Sequence, residues 1–414
     1  MAILDKSSFL MQLIDPFAPT RDRASEEFRF RGDWRAWGIP LLVGGIGLVF
    51  SLVGWAVDPH QFYFSYLIGW VFCLSLAIGA LFFVQIQHLT KARWSVVVRR
   101  IGESMLWAFP LLAVLSIPIL IGMHDLFHWT HADVVEQDPV LAGKSAYLNV
   151  PFFLIRLAFY FLMWSIVGYK LYRLSLEQGR TGDPDIPARQ RKVSAWGLAV
   201  TSVTTAFASY DLLMSLDPHW YSTIFGVYFF AGSFMAIHAS IALVAMALLG
   251  MNNLRNIVTR EHLQDLGKMT FGFVVFWAYI AFSQYMLIWY GNIPEETIWY
   301  RHRLEHGWEV HSAILLIAHF IIPFLVLLPR STKRSIPILS FMCVWLLVMH
   351  WFDFHWLAMP VLHPDEAGVH LLDVVSWIGL LGIFVGSGMY RLARHSLVPE
   401  RAPYLAESLR FENT

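Results

Sequence analysis

The chain has 414 residues, of which 57% are hydrophobic and only 14% charged, and its mean hydropathy is +0.53. No water-solvated globular surface of this size has that balance, so a soluble enzyme is excluded. Formal net charge is zero, and Cys73 and Cys343 each stand alone in an apolar stretch. That excludes a disulfide framework, a C-x-x-C-H haem attachment and a ferredoxin-like cluster.

The first 35 residues hold six Lys/Arg and six Asp/Glu and lack the short apolar core and small-residue cleavage site of a signal peptide. No cleaved signal peptide is expected, and Phe9 to Phe17 are expected to lie on the membrane surface. Ten apolar blocks follow, at 36–57, 63–88, 104–122, 150–171, 193–216, 221–250, 268–291, 307–328, 335–352 and 372–391. Blocks of roughly 20 residues without period-2 alternation cross about 30 Å of hydrocarbon as helices, because lipid offers the backbone no partner. The expected fold is an all-α polytopic membrane protein: a segment 1–35, ten transmembrane helices over 36–391, and a tail 392–414.

Lys and Arg counts in successive connections run 6, 0, 4, 1, 6, 0, 3, 2, 3, 0, 4 from the N-terminus. One side carries 26 basic residues and the other 3, with Arg156 inside a block. By the positive-inside rule both termini are cytoplasmic. The acids divide as 15 inside and 14 outside, Glu309 and Asp373 among the latter, with Asp211 inside a helix, giving about +11 within and −11 without. His124, His128, His131, His219, His302, His306, His355, His363 and His370 fall at or near that outer face. Such a polar, titratable surface suits a docking face or a proton exit.

Helix two opens Phe64-Ser65-Tyr66-Leu67-Ile68-Gly69 and helix six Tyr221-Ser222-Thr223-Ile224-Phe225-Gly226, a weak echo that suggests two parallel four-helix bundles, helices 2–5 and 6–9, with two flanking helices. Arg156 and Asp211 are the charged residues read within the blocks, each roughly 9 to 10 Å below the outer surface. They can meet and cancel charge, either as a packing pair or as a working one. At similar depth lie Ser283, Gln284 and Tyr285, and near the outer end of helix eight Glu309 and His311. Donors and acceptors of this kind suit a quinol ring, although Tyr and Gln also serve helix packing at interfaces.

Asp217 and His219, in the corner between helices five and six, are placed to pass protons to outer water; Pro218 and a helix cap explain the same corner structurally. Thr201, Thr205 and Ser209 share a face of helix five leading to Asp211, as a proton wire or as hydroxyls bonded back to their own helix. His238 and His319 lie deep, as core histidines, proton-path members or haem ligands. No helix carries two well-separated deep histidines, so a haem-free chain is expected.

At FASYDLLMSLDPHWYSTIFGVYFFAGSF (Phe207 to Phe234) and FWAYIAFSQYMLIWYGNIPEETIWY (Phe276 to Tyr300) the chain resembles the membrane subunits of bacterial alternative complex III, in the polysulfide-reductase-like, NrfD-like superfamily. In spacing it is nearest to the smaller of the two homologous membrane subunits of that complex. The resemblance implies ten helices without cofactors of their own, in the bacterial inner membrane. Its implied partners are the larger homologous membrane subunit, a periplasmic iron-sulfur, molybdopterin-like subunit, c-type cytochrome subunits and lipids, with a terminal oxidase downstream and no nucleic acid. Haem and iron-sulfur clusters would sit in those partners, and a quinone or menaquinone is the expected small molecule. The assembly would be a quinol:cytochrome c (or cupredoxin) oxidoreductase. The family's quinol position corresponds here to His124, Asp125, Arg156 and Asp211, with Gln284 and Tyr285 added from depth. The proton-path candidates are Asp211, Arg156, Asp217, His219, His238, Glu309, His311 and His319. A b-type cytochrome quinol oxidase subunit, a secondary transporter and a passive scaffold are the alternatives.

Overall fold

Apolar stretches long enough to cross lipid must pair their own backbone groups, and in this chain they do so as helices. The computed structural model describes residues 28–413, in which no strand occurs. The expected surface segment Phe9 to Phe17 lies outside the described residues. The long helices are α1 (Arg35–Val57), α2 (Pro59–Leu89), α3 (Val96–Ile121), α4 (Val150–Thr181), α5 (Ile186–Leu212), α6 (Phe225–Gly250), α7 (Arg260–Gly291), α8 (Trp308–Leu327), α9 (Ile336–Leu362) and α10 (Leu371–Arg394). Among the described residues nine of these, all but α5, are long and apolar enough to cross a membrane. In α5 the apolar residues are interleaved with Arg189, Arg191 and Lys192 at one end, hydroxyl residues in the middle and Asp211 at the other.

Local sequence fixes the helix starts. Asp58 accepts from the Gln61 N–H with Pro59 at the first position, and Asn149 accepts from the Phe152 N–H just ahead of Pro151. Gly182, at φ +69°, ends α4 in the left-handed conformation that a side chain would strain.

The middle of helix α2 is wholly buried, and the helix packs against α1, α5, α6, α9 and α10, while α6 packs against α2, α5, α7 and α9. Helices α1 and α10 form an outer pair whose backbones almost touch. A Cβ at Gly382 would stand 2.7 Å from the Gly44 backbone and from the Pro40 carbonyl, and one at Gly47 2.7 Å from Gly379. Without side chains at these positions the helices gain close van der Waals contact, the usual source of association in lipid. Ser51 and Ser376 hydrogen-bond across the same seam at 2.6 Å.

Two helix ends and one stretch of helix geometry depart from the sequence reading where the polar residues lie. The block at 335–352 was ended by Asp353, yet α9 continues through it to Leu362. Near its end Pro360 has no N–H for the Trp356 carbonyl, and the buried Arg303 takes that place, its Nε donating to Trp356 at 3.3 Å and its Nη2 to Leu357 at 2.7 Å. Helix α5 ends at Leu212 and passes into a 3₁₀ turn, Met214–Leu216, so Asp211 stands in its last turn. Helix α8 widens to a π-helix over Leu315–Ile321, a geometry that recurs at functional sites.

Candidate functional site

The deep acid and the deep base meet. Arg156 Nε donates to Asp211 Oδ2 at 2.9 Å and its Nη2 to Oδ1 at 2.8 Å, a bidentate fork. Tyr160, one turn along α4, donates to Oδ2 at 2.8 Å. Arg156 is held a third time, by the Tyr147 carbonyl at 2.8 Å, and its guanidinium lies over the rings of Tyr147 and Phe152 at 3.8 and 4.4 Å. Asp211 is 1% exposed and Arg156 7%. Tyr147 lies in the connection ahead of α4, where burial, then the Asp211 charge, raises its phenol above the ordinary range.

The hydroxyl line below Asp211 is mixed. Thr204 and Ser209 donate back to carbonyls of their own helix, at 2.7 Å each. Thr201 instead accepts from Gln85 of α2 at 3.1 Å, and the buried Thr205 hydroxyl has no hydrogen-bond partner among the described residues. Beyond the end of α5, His219 contacts Asp138 at 2.5 Å rather than its neighbour Asp217. That hydrogen bond holds the Asp138 carboxyl below the ordinary range, and Asp138 also caps the short helix Pro139–Lys144. Lys144 donates to the Pro218 carbonyl at 2.5 Å; burial lowers its ammonium, with Asp217 and Asp138 opposing. Asp217 sits beside Arg303, whose burial pulls it down to about 9, still cationic at neutral pH.

The six residues expected to share a quinone pocket occupy three separate settings. Asp125 pairs with His60 at 2.8 Å, and His124 contacts Thr130 at 3.0 Å, both beyond the end of α3. Gln284 accepts from Ser222 at 2.9 Å and donates to Tyr300 at 3.1 Å, while Tyr285 meets the Tyr300 ring edge-on. No hydrogen bond or ion pair among the described residues joins either set to Arg156 and Asp211.

A second polar centre was missed by the sequence reading. Asp353, 1% exposed and about 14 Å from the end of α9 at 1.5 Å per residue, accepts from Tyr228 of α6 and, at 3.1 Å, from the Trp277 indole of α7. No cation pairs with it among the described residues. The Trp277 ring stacks on His319 at 4.0 Å, within the π-helix, and neither His319 nitrogen has a hydrogen-bond partner among the described residues. His350, one turn before Asp353, contacts Ser75 at 2.9 Å. In the first turn of α10, the buried Asp373 accepts from Ser65 at 2.5 Å and Gln61 at 2.9 Å and lies 3.3 Å from His355, and Gln61 reaches the exposed His363 at 2.7 Å. The run MHWFDFHW held the signal: His350 and Asp353 lie three apart, on one helical face.

The remaining expected residues are scattered. His238 is enclosed by Phe83, Phe234 and Phe273 and bonds to the Phe234 carbonyl at 2.6 Å. Glu309 is exposed and accepts from the Gly307 N–H at 2.9 Å, ahead of the first turn of α8. His311 stacks on Phe352 and His355. No protein-family profile matches the chain, and no curated protein is significantly similar to it.

Proposed function

We propose that this chain is a multi-pass subunit of a bacterial inner-membrane quinol:cytochrome c (or cupredoxin) oxidoreductase of the alternative complex III type, and that its part is to carry protons rather than electrons. In this reading α5 also crosses, giving ten spans with both termini cytoplasmic and two bundles, α2–α5 and α6–α9. Redox centres belong to the partner proteins, which dock on the acidic, histidine-rich outer face.

The Arg156–Asp211–Tyr160 constellation carries the reading. Three hydrogen bonds from Arg156 and Tyr160 converge on Asp211, so a proton passing through it has to displace one of them. Arg156 has other holds, the Tyr147 carbonyl and two aromatic faces, and can stay in place while its bond to the acid lengthens. Tyr160 then supplies a second hydroxyl through which a proton can pass. In the second bundle Asp353, with no cation beside it, would serve as a further protonatable group.

The test is Asp211→Asn in the assembled complex, with quinol-dependent cytochrome reduction and proton release measured together. The expected result is fewer protons released per electron; unchanged values for both would remove the proton role and leave a structural component.

A further inference from the structure

A groove of about 730 Å³ opens between α3, α4 and the start of α5, a volume in the range that accommodates a small organic ligand. It exists because α3 is interrupted at Leu106–Trp107 and Gly168 brings α4 close at its floor, where a Cβ would stand 3.3 Å from Leu106. The walls are chiefly apolar, with Leu106, Trp107, Pro110 and Ile166 among them. Lys170 and Arg173 stand at its mouth, both exposed and neighbours on one helical face.

Depth and charge say what fits. Lys170 follows Val150 by 20 residues, which is about 30 Å of helix and so one hydrocarbon thickness from the start of α4. The two cations therefore stand at headgroup level on the basic side. Arg189, also at the mouth, is engaged by Asp183 at 3.1 Å and Glu177 at 3.9 Å. Neither Lys170 nor Arg173 has an acidic partner among the described residues. An apolar slot with uncompensated positive charge at one end matches an acyl chain with an anionic head.

We propose that this groove binds one anionic phospholipid of the leaflet on the basic side, with an acyl chain along Leu106, Pro110 and Ile166 and the phosphate between Lys170 and Arg173. The choice of leaflet rests on the proposed orientation, with both termini cytoplasmic. The groove shares no residue with the Arg156–Asp211 site, so failure of either proposal leaves the other standing.

The purified full chain, titrated with phosphatidylglycerol and phosphatidylcholine of matched chains under native mass spectrometry, tests it. Wild type is expected to hold one phosphatidylglycerol more tightly than phosphatidylcholine. K170Q/R173Q should lose about 30-fold in phosphatidylglycerol affinity, the share that two basic residues contribute at an anionic leaflet, with phosphatidylcholine unchanged. S165W, which fills the groove without altering charge, should weaken both lipids and guards against a double variant that fails to fold. Equal affinity of wild type for the two lipids, an unaffected double variant, or displacement of phosphatidylglycerol by a quinone with no dependence on Lys170 and Arg173 would each overturn the proposal.

Discussion

Replacing Arg156 by Met leaves the Asp211 carboxylate buried at 1% exposure with only Tyr160 as donor. Breaking one side of a buried, bidentate pair costs about 3–5 kcal/mol, because the surviving charge keeps its desolvation penalty and loses its partner. Asp211→Leu alone should cost less within that range, since Arg156 retains the Tyr147 carbonyl and the faces of Tyr147 and Phe152. The double variant Arg156→Met/Asp211→Leu removes both charges together and should recover most of the loss, a coupling of about 2–4 kcal/mol in the cycle. Stability is read by reversible unfolding in mixed micelles, and proton release by a pH indicator during quinol-driven cytochrome reduction. A double variant that regains stability but not proton release separates packing from function in favour of function. If Arg156→Met is as stable as wild type, the pair contributes nothing to the fold and the energetic reasoning fails. If the double variant also releases protons normally, Asp211 is a packing residue.

Asp353→Leu orphans two buried donors, the Tyr228 hydroxyl and the Trp277 indole, at about 1–3 kcal/mol each, whereas Asp353→Asn keeps an acceptor and should unfold close to wild type in the same micellar assay. Gly382→Val forces α1 away from α10; cysteines at Ser51 and Ser376, where the wild-type oxygens are 2.6 Å apart, should crosslink readily alone and poorly in the valine background. Arg303→Met strands the Trp356 and Leu357 carbonyls, and adding Pro360→Ala supplies the missing N–H for Trp356; thermal unfolding should show the alanine recovering part of the loss, and no recovery would mean Arg303 does not serve the proline gap. The folded-state pKa of Asp138 is depressed by His219, so their contact stabilises the fold above the ordinary carboxylate pKa of about 4 and is lost as pH falls through the lower folded value. His219→Gln should move the acid-induced loss of hydrogen-exchange protection at 139–144 to higher pH.

What the sequence could convey depended on whether a property was local. Helix positions were legible because length and hydropathy are summed along the chain, and without period-2 alternation the closed barrel, the other backbone arrangement lipid tolerates, is excluded. The Arg156–Asp211 meeting was legible as a possibility, since two opposite charges in consecutive antiparallel blocks leave few alternatives to pairing. The partners of Gln284 were not: equal depth places residues in one layer, but only helix rotation and order around the bundle decide which face each other, and Gln284 turns to Ser222 and Tyr300.

Asp353 was lost for an instructive reason. The block 335–352 stopped one residue short of Asp353, so this acid, unlike Asp211 inside its block, counted as part of the connection. The aromatic residues after it, Phe354 and Trp356, with Leu357 and the histidines on either side, show that the apolar face continues to Leu362. With Asp353 returned to the membrane, each proposed bundle holds one deep acid beneath the outer face, Asp211 with its arginine and Asp353 with a phenol and an indole. The two differ in their surroundings: Asp211 is gripped by a guanidinium and a phenol, whereas Asp353 meets only a phenol and an indole. Infrared difference spectra recorded during turnover can decide whether both acids exchange protons: carboxyl bands that vanish separately in Asp353→Asn and in Asp211→Asn are the expected result, and bands untouched by either variant would refute it.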